Sequence, residues 1–235
     1  MPHRRLHPVF VFLGYGSLFL LAGQKNYWES KPYTEWSDKE ADKLLKDSPW
    51  TRSVLLNTGP EGTTGSGGGQ RGSGGGGDPE MGSVGGSLPK PATRLVVTWF
   101  ARPIREATAR RLMLTDPEVP KDRIERLLQP NAQFLVLLVT GWTLGRQPDR
   151  DAAIERFKKE TMLVKKNKEK ILLADMVLPQ RREDPLYLRF AREADGKPVL
   201  TQADQEVTLV LRVGEDTYRV KFKLAEMLIQ NKLEL

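Results

Sequence analysis

The chain has no cysteine, and its two histidines, His3 and His7, both fall within the first seven residues. Beyond them the sequence offers neither thiol nor imidazole. That excludes the common zinc sites, the Ser-His-Asp and Cys-His nucleophile pairs, and any disulfide framework from the rest of the protein. There is no Walker pattern. The one match to Gly-x-Gly-x-x-Gly, Gly67-Gly68-Gly69-Gln70-Arg71-Gly72, lies inside a glycine tract where no strand feeds it and no helix leaves it. A phosphate site needs that helix N-terminus, so no nucleotide, other cofactor or metal is expected. Long apolar runs are also scarce. The single uncharged one covers residues 9–21, shorter than the ~20 residues of a membrane-spanning helix.

Carboxylate and lysine chemistry survives these exclusions. Glu155, Glu160, Glu183, Asp184, Glu193 and Asp195 are available, and a glycosidase-type hydrolase needs only two carboxyl groups across a cleft. Each of the six sits among lysines and arginines in a polar stretch, which is the setting of a solvated surface carboxylate. A hydrolase of an extracellular polymer is therefore the competing reading, behind a non-catalytic interaction or structural protein.

The 235 residues are 39% hydrophobic and 29% charged, enough for a packed core without staples. Arg4 and Arg5 precede the apolar run, and Ala22-Gly23 follow it. A positive start, a short apolar stretch and small residues at its end are the parts of a secretory signal peptide. Residues 1–23 are thus expected to direct export to the periplasm or beyond, with an uncleaved anchor or a buried helix as the alternatives. Residues 59–88 hold 14 of the 21 glycines and too few apolar side chains to repay ordering, so a disordered linker spanning ~30 Å is expected there. The segment 24–58 before it is too small to fold alone and is expected to dock on the main unit, residues 89–235.

Hydrophobic periodicity supplies the elements. Ser37 and Glu40 have capping-box spacing, with Trp36 and Ala41 in the staple positions, so a helix starts here and ends at Ser48-Pro49. Strands are expected over 50–57 and 94–100, and a helix from Pro103 to Asp116-Pro117. A second, shorter helix should cover 121–128. Residues 133–140 are continuously apolar, the pattern of a buried central strand. A helix over 149–160, short strands at 162–164 and 171–177, and alternating strands at 186–190, 207–211 and 218–224 complete the list, with Gly214-Glu215-Asp216 as a hairpin turn. The fold class is α+β, with a mixed, mainly antiparallel sheet, a few helices and the long glycine-rich loop.

Tyr33-Thr34-Glu35-Trp36-Ser37 running to Asp47-Ser48-Pro49-Trp50, the strand and helix over 96–109, and Phe222-Lys223-Leu224-Ala225-Glu226-Met227 with Lys232-Leu233-Glu234-Leu235 resemble a group of uncharacterised exported proteins of acidobacterial type. The resemblance implies export and brings no assigned activity or catalytic residue. Gly141-Trp142-Thr143 is similar to the start of the bacterial domain named for Gly-Trp-x-Thr-Asp, but Leu144 and Gly145 stand where threonine and aspartate are required, so that label does not apply.

Two binding candidates emerge. Trp142 lies on a glycine-flanked loop after a buried strand, where function concentrates; the other tryptophans, Trp28, Trp36, Trp50 and Trp99, neighbour regular elements and are expected in the core. The formal charge is +7, and residues 156–182 hold nine Lys or Arg against Glu160, Glu169 and Asp175, a local surplus of six. Lys165, Lys166, Lys168 and Lys170 flank a turn at Asn167, where their potentials add. The expected partners are an anionic surface, an acidic polysaccharide or another envelope protein, with nucleic acid disfavoured by export. The same lysines protect a sheet edge equally well without any partner.

Overall fold

The computed structural model describes residues 26–56, 93–141, 149–181, 183–213 and 216–235. The leader 1–23, the glycine tract 59–88, Trp142 and the turn residues Gly214 and Glu215 lie outside the described residues.

Chain order runs α1 (Tyr27–Ser30), α2 (Asp38–Lys46), β1 (Thr51–Leu56), β2 (Thr93–Trp99), α3 (Arg102–Thr115), α4 (Lys121–Leu128), β3 (Phe134–Thr140) and α5 (Arg150–Glu160). It continues with β4 (Met162–Lys165), β5 (Lys170–Val177), β6 (Leu186–Ala191), β7 (Glu193–Ala194), β8 (Lys197–Pro198), β9 (Glu206–Val213), β10 (Asp216–Lys223), β11 (Leu228–Ile229) and β12 (Lys232–Leu233). The protein is α+β. Eight strands form one sheet in the order β1-β2-β3-β6-β5-β4-β9-β10, and each neighbouring pair is antiparallel. β5 is the corner: its start pairs with β4 and its end with β6, with a register break between Leu173 and Asp175. Bulges of this kind bend a strand and increase its twist. The sheet curls until its first and last strands, β1 and β10, lie side by side. Arg52 of β1 bridges that seam, ion-paired to Glu226 at 3.2 Å and lying over the Phe222 ring.

Strand alternation sends one face inward. Leu95, Val97 and Trp99 of β2, Leu135, Leu137 and Val139 of β3, and Leu186, Leu188 and Phe190 of β6 are all buried there. Val207, Leu209 and Leu211 of β9 and Val220 and Phe222 of β10 meet them from the other side of the curl. Period-two burial is what fixes each register, since a slip of one residue would turn the whole apolar set outward.

The N-terminal segment belongs to this core. β1 pairs with β2 from Thr51↔Thr98 to Leu56↔Thr93, and Trp36, Ala41, Leu44 and Trp50 are fully buried. The Ser37 hydroxyl accepts from the Glu40 amide at 3.3 Å, and the Ser37 amide donates to the Glu40 carboxylate at 2.8 Å, closing the capping box. α2 is held on α3 by Arg111, whose guanidinium meets Asp42 at 2.7 Å and Asp38 at 3.6 Å. Tyr27, Trp28, Trp36 and Trp50 form a chain of edge-to-face ring contacts at 5.0–6.0 Å. Trp36, Trp50 and Trp99 are wholly buried and Trp28 is half-buried against them.

Candidate functional site

The lysine hairpin forms as β4, a turn and β5. Lys168 closes it in the left-handed region, at φ 71°, with its amide donating to the Lys165 carbonyl at 2.9 Å. The four lysines do not share one surface, however. The Lys165 side chain is only 10% exposed and sits between Glu169 at 3.1 Å and Asp204 at 3.6 Å. Lys166 donates to the Gln205 side-chain oxygen at 2.7 Å. Lys168 and Lys170 stand exposed. The tip therefore offers a weaker positive field than the sequence suggests, because Glu169 and Asp204 offset Lys165 locally. Among the hydrolase candidates, Glu160 pairs with Arg212 at 3.1 Å and Glu155 with Lys158 at 3.0 Å, while Asp184 accepts from the Arg181 amide.

A cationic cavity of about 240 Å3 lies elsewhere, on the outward side of β3 and β6 beneath the start of α3 and the end of α4. Its floor follows from strand alternation. With Leu135 and Leu137 turned inward, Phe134 and Val136 point out, and on β6 Tyr187 and Arg189 do the same. Val136 pairs directly with Arg189. The wall is set by the turn between β2 and α3, where the Phe100 amide donates to the Val136 carbonyl at 2.8 Å. Pro103 opens the helix after it, preset for the first turn, and Arg105 falls on the face that meets the sheet. At the far side, the Asn131 side-chain oxygen accepts from the amides of Gln133 and Phe134 at 3.1 and 2.8 Å, which pins the turn carrying Gln129, Pro130 and Asn131 onto the rim.

Arg105, Arg189 and Arg192 all line this cavity, and their situations differ. Arg189 is matched, 2.9 Å from the Asp175 carboxylate of the neighbouring strand. Arg192 donates to the Leu235 main-chain oxygen at 3.0 Å and lies in the field of Glu234. Arg105 is only 7% exposed. Among the described residues its guanidinium has one hydrogen bond, a 3.5 Å contact to the Phe100 carbonyl, and its buried Nε has no acceptor. Burial holds Arg105 and Arg192 below the usual arginine range, with Glu234 acting in the opposite direction on both. Buried polar groups are nearly always satisfied, and a guanidinium so poorly matched needs an explanation. Next to it, burial raises the Glu106 carboxyl above its ordinary value, opposed by Arg102.

No protein-family model matches the chain, and comparison with curated proteins returns no match. Comparison with solved structures finds a "novel protein of unknown function" from Burkholderia pseudomallei K96243, 12% identical, over 54% of this chain and 73% of that one, with a TM-score of 0.34.

Sequence reading missed the cavity. Arg105 reads as an ordinary helix-surface arginine, and nothing local says that the first turn of α3 faces a sheet. One signal was present: the unbroken apolar run of β3 requires cover on both faces, so Phe134 and Val136 had to meet something outside the core.

Proposed function

We propose that the protein is an exported, envelope-associated interaction protein that is not a catalyst, and that its recognition element is the cavity holding Arg105. Export is supported by Arg4, Arg5 and the apolar run of residues 9–21. The observation that carries the binding reading is Arg105 itself, a buried guanidinium on a cavity wall with no carboxylate within ion-pair distance among the described residues. A buried donor left unsatisfied costs about 1–3 kcal/mol, more for a charged one. An anion in the cavity supplies the guanidinium's charge with a counter-ion and its terminal nitrogens with an acceptor, on a frame of two strands and a helix start.

Thermal unfolding at constant ionic strength tests the reading, with chloride replaced stepwise by acetate, sulfate or phosphate. A ligand that binds only the native state raises the midpoint with its concentration. At least one anion should do so in the unmodified protein and fail to do so in Arg105→Met. Equal midpoints across the series count against the reading. Export is tested separately by the intact mass of the protein recovered from its host: processing near Ala22 or Gly23 supports it, and full-length chain in the cytosol overturns it.

A further inference from the structure

The cavity's charge balance and its walls narrow the ligand class, on the premise that the cavity is an anion site. Of the three guanidiniums, Arg189 already has Asp175 at 2.9 Å and Arg192 has the Leu235 oxygen at 3.0 Å, while the field of Glu234 reaches both Arg192 and Arg105. Among the described residues neither Arg105 nor Arg192 has an Asp or Glu carboxylate within ion-pair distance, and Arg105 has in addition only the one 3.5 Å hydrogen bond. Arg105 is the less satisfied of the two and calls for an anionic acceptor. A dianion such as phosphate is repelled more strongly than a monoanion by the flanking Asp175 and Glu234. Beside the polar Gln129 and Asn131 of the rim, the lining offers apolar and aromatic surface from Phe134 and Val136 of β3, Tyr187 of β6 and Pro130. At about 240 Å3 the space falls below the ~300 Å3 where pockets for drug-sized ligands begin, so the occupant is small.

We infer that this cavity binds a small monocarboxylic acid with a planar apolar body, its carboxylate on the Arg105 guanidinium and its body against Phe134 and Tyr187. A carboxylate suits the fork of N–H donors that a guanidinium presents, and such charge-assisted bonds are roughly twice as strong as neutral ones. The apolar walls supply affinity that a bare anion does not collect.

Calorimetric titration at fixed ionic strength, with 3-phenylpropionate, 3-phenylpropionamide, acetate and inorganic phosphate as probes, tests this. The aromatic acid is expected to bind about tenfold or more tightly than each of the other three. Arg105→Lys, which keeps the charge but loses the fork, should weaken the acid by about tenfold; circular dichroism confirms that the variant is folded. If acetate or phosphate binds as well as the aromatic acid, or binds alone, the proposed ligand class is wrong while the anion site stands. If the neutral amide binds as well as the acid, both fail; if Arg105→Lys binds the acid unchanged, the carboxylate does not sit on the Arg105 fork and the proposed ligand class is wrong, while the anion site stands. If no probe binds at millimolar concentration, the ligand class is wrong, and the anion-dependent unfolding midpoints decide whether an anion site exists at all.

Discussion

The Trp50 indole donates to the Glu234 carbonyl at 2.8 Å, joining positions 184 residues apart. Trp50 is wholly buried at the end of the N-terminal segment, and Glu234 follows the β11–β12 hairpin. The Glu234 carboxylate reaches Arg102 of α3 at 3.4 Å, and its amide donates to the Met227 carbonyl. The last residues are thus fixed between α3 and the N-terminal segment, which is how Leu235 comes to line the cavity. Trp50→Phe removes the donor and one ring of a wholly buried indole, leaving a small cavity and a part-buried carbonyl without its partner. Denaturant unfolding should register a loss of about 2–4 kcal/mol with an unchanged m-value. No loss would mean that the tail is held by its other contacts alone.

Glu40 makes the capping box acid-sensitive. The Lys31 ammonium and the Ser37 amide and hydroxyl stabilise its carboxylate and lower its pKa from 4.5 to about 2. A folded-state pKa below the unfolded value means stability that is fully present above about pH 4.5 and is lost as pH falls towards about 2. Glu40→Gln keeps an acceptor for the Ser37 amide but loses the charge facing Lys31, and should cost about 1 kcal/mol at neutral pH. The gap between the two proteins should then narrow steadily below about pH 4. Parallel stability curves for the two proteins down to that range would remove Glu40 from the account.

Gly141 ends β3 at φ +78°, and a Cβ there would run into the Arg94 carbonyl of the neighbouring strand. Both facts oppose any side chain. Gly141→Ala should destabilise by about 1–3 kcal/mol, because it adds a left-handed alanine to a steric clash with backbone. A variant as stable as the parent protein would show that the approach of the two backbones is looser than described.

The four hairpin lysines should separate in a charge-reversal series. Lys165→Glu places a third carboxylate beside Glu169 and Asp204 in a site where the side chain is 10% exposed, and a loss of about 2–4 kcal/mol is expected. Lys170→Glu, on the exposed flank, should stay within about 0.5 kcal/mol. Equal effects at the two positions would contradict the burial of Lys165.

Local signals account for what the sequence made legible. The capping box at Ser37 and Glu40, the helix over 121–128 and the alternating strands that became β6, β9 and β10 each carry their own periodicity and punctuation. α1 was missed because four residues are too few for a helical period to show. The two-residue turns at Asp195-Gly196 and Gln230-Asn231, with positive φ at both positions, connect strands of only two residues each, too short for alternation to register. The curl that brings β1 beside β10 is a property of the whole sheet, written in no single segment. The same applies to the cavity: Arg105 is far in the chain from Tyr187 and Arg192, and they meet only in the folded protein. Lys165 shows the converse. Its neighbours in sequence mark a charged tip, yet Asp204, from a distant turn, takes it out of the patch.

The most direct measurement is the unfolding free energy of Arg105→Met in ligand-free protein, compared with the unmodified chain by urea denaturation. If Arg105 is kept for a ligand, the empty cavity holds a guanidinium with one long hydrogen bond, and an apolar side chain of similar length relieves that cost. The account predicts a gain of about 1–3 kcal/mol together with loss of anion-dependent stabilisation. A loss of similar size in the ligand-free protein would contradict it, and would make Arg105 a structural arginine whose partners the fold already supplies.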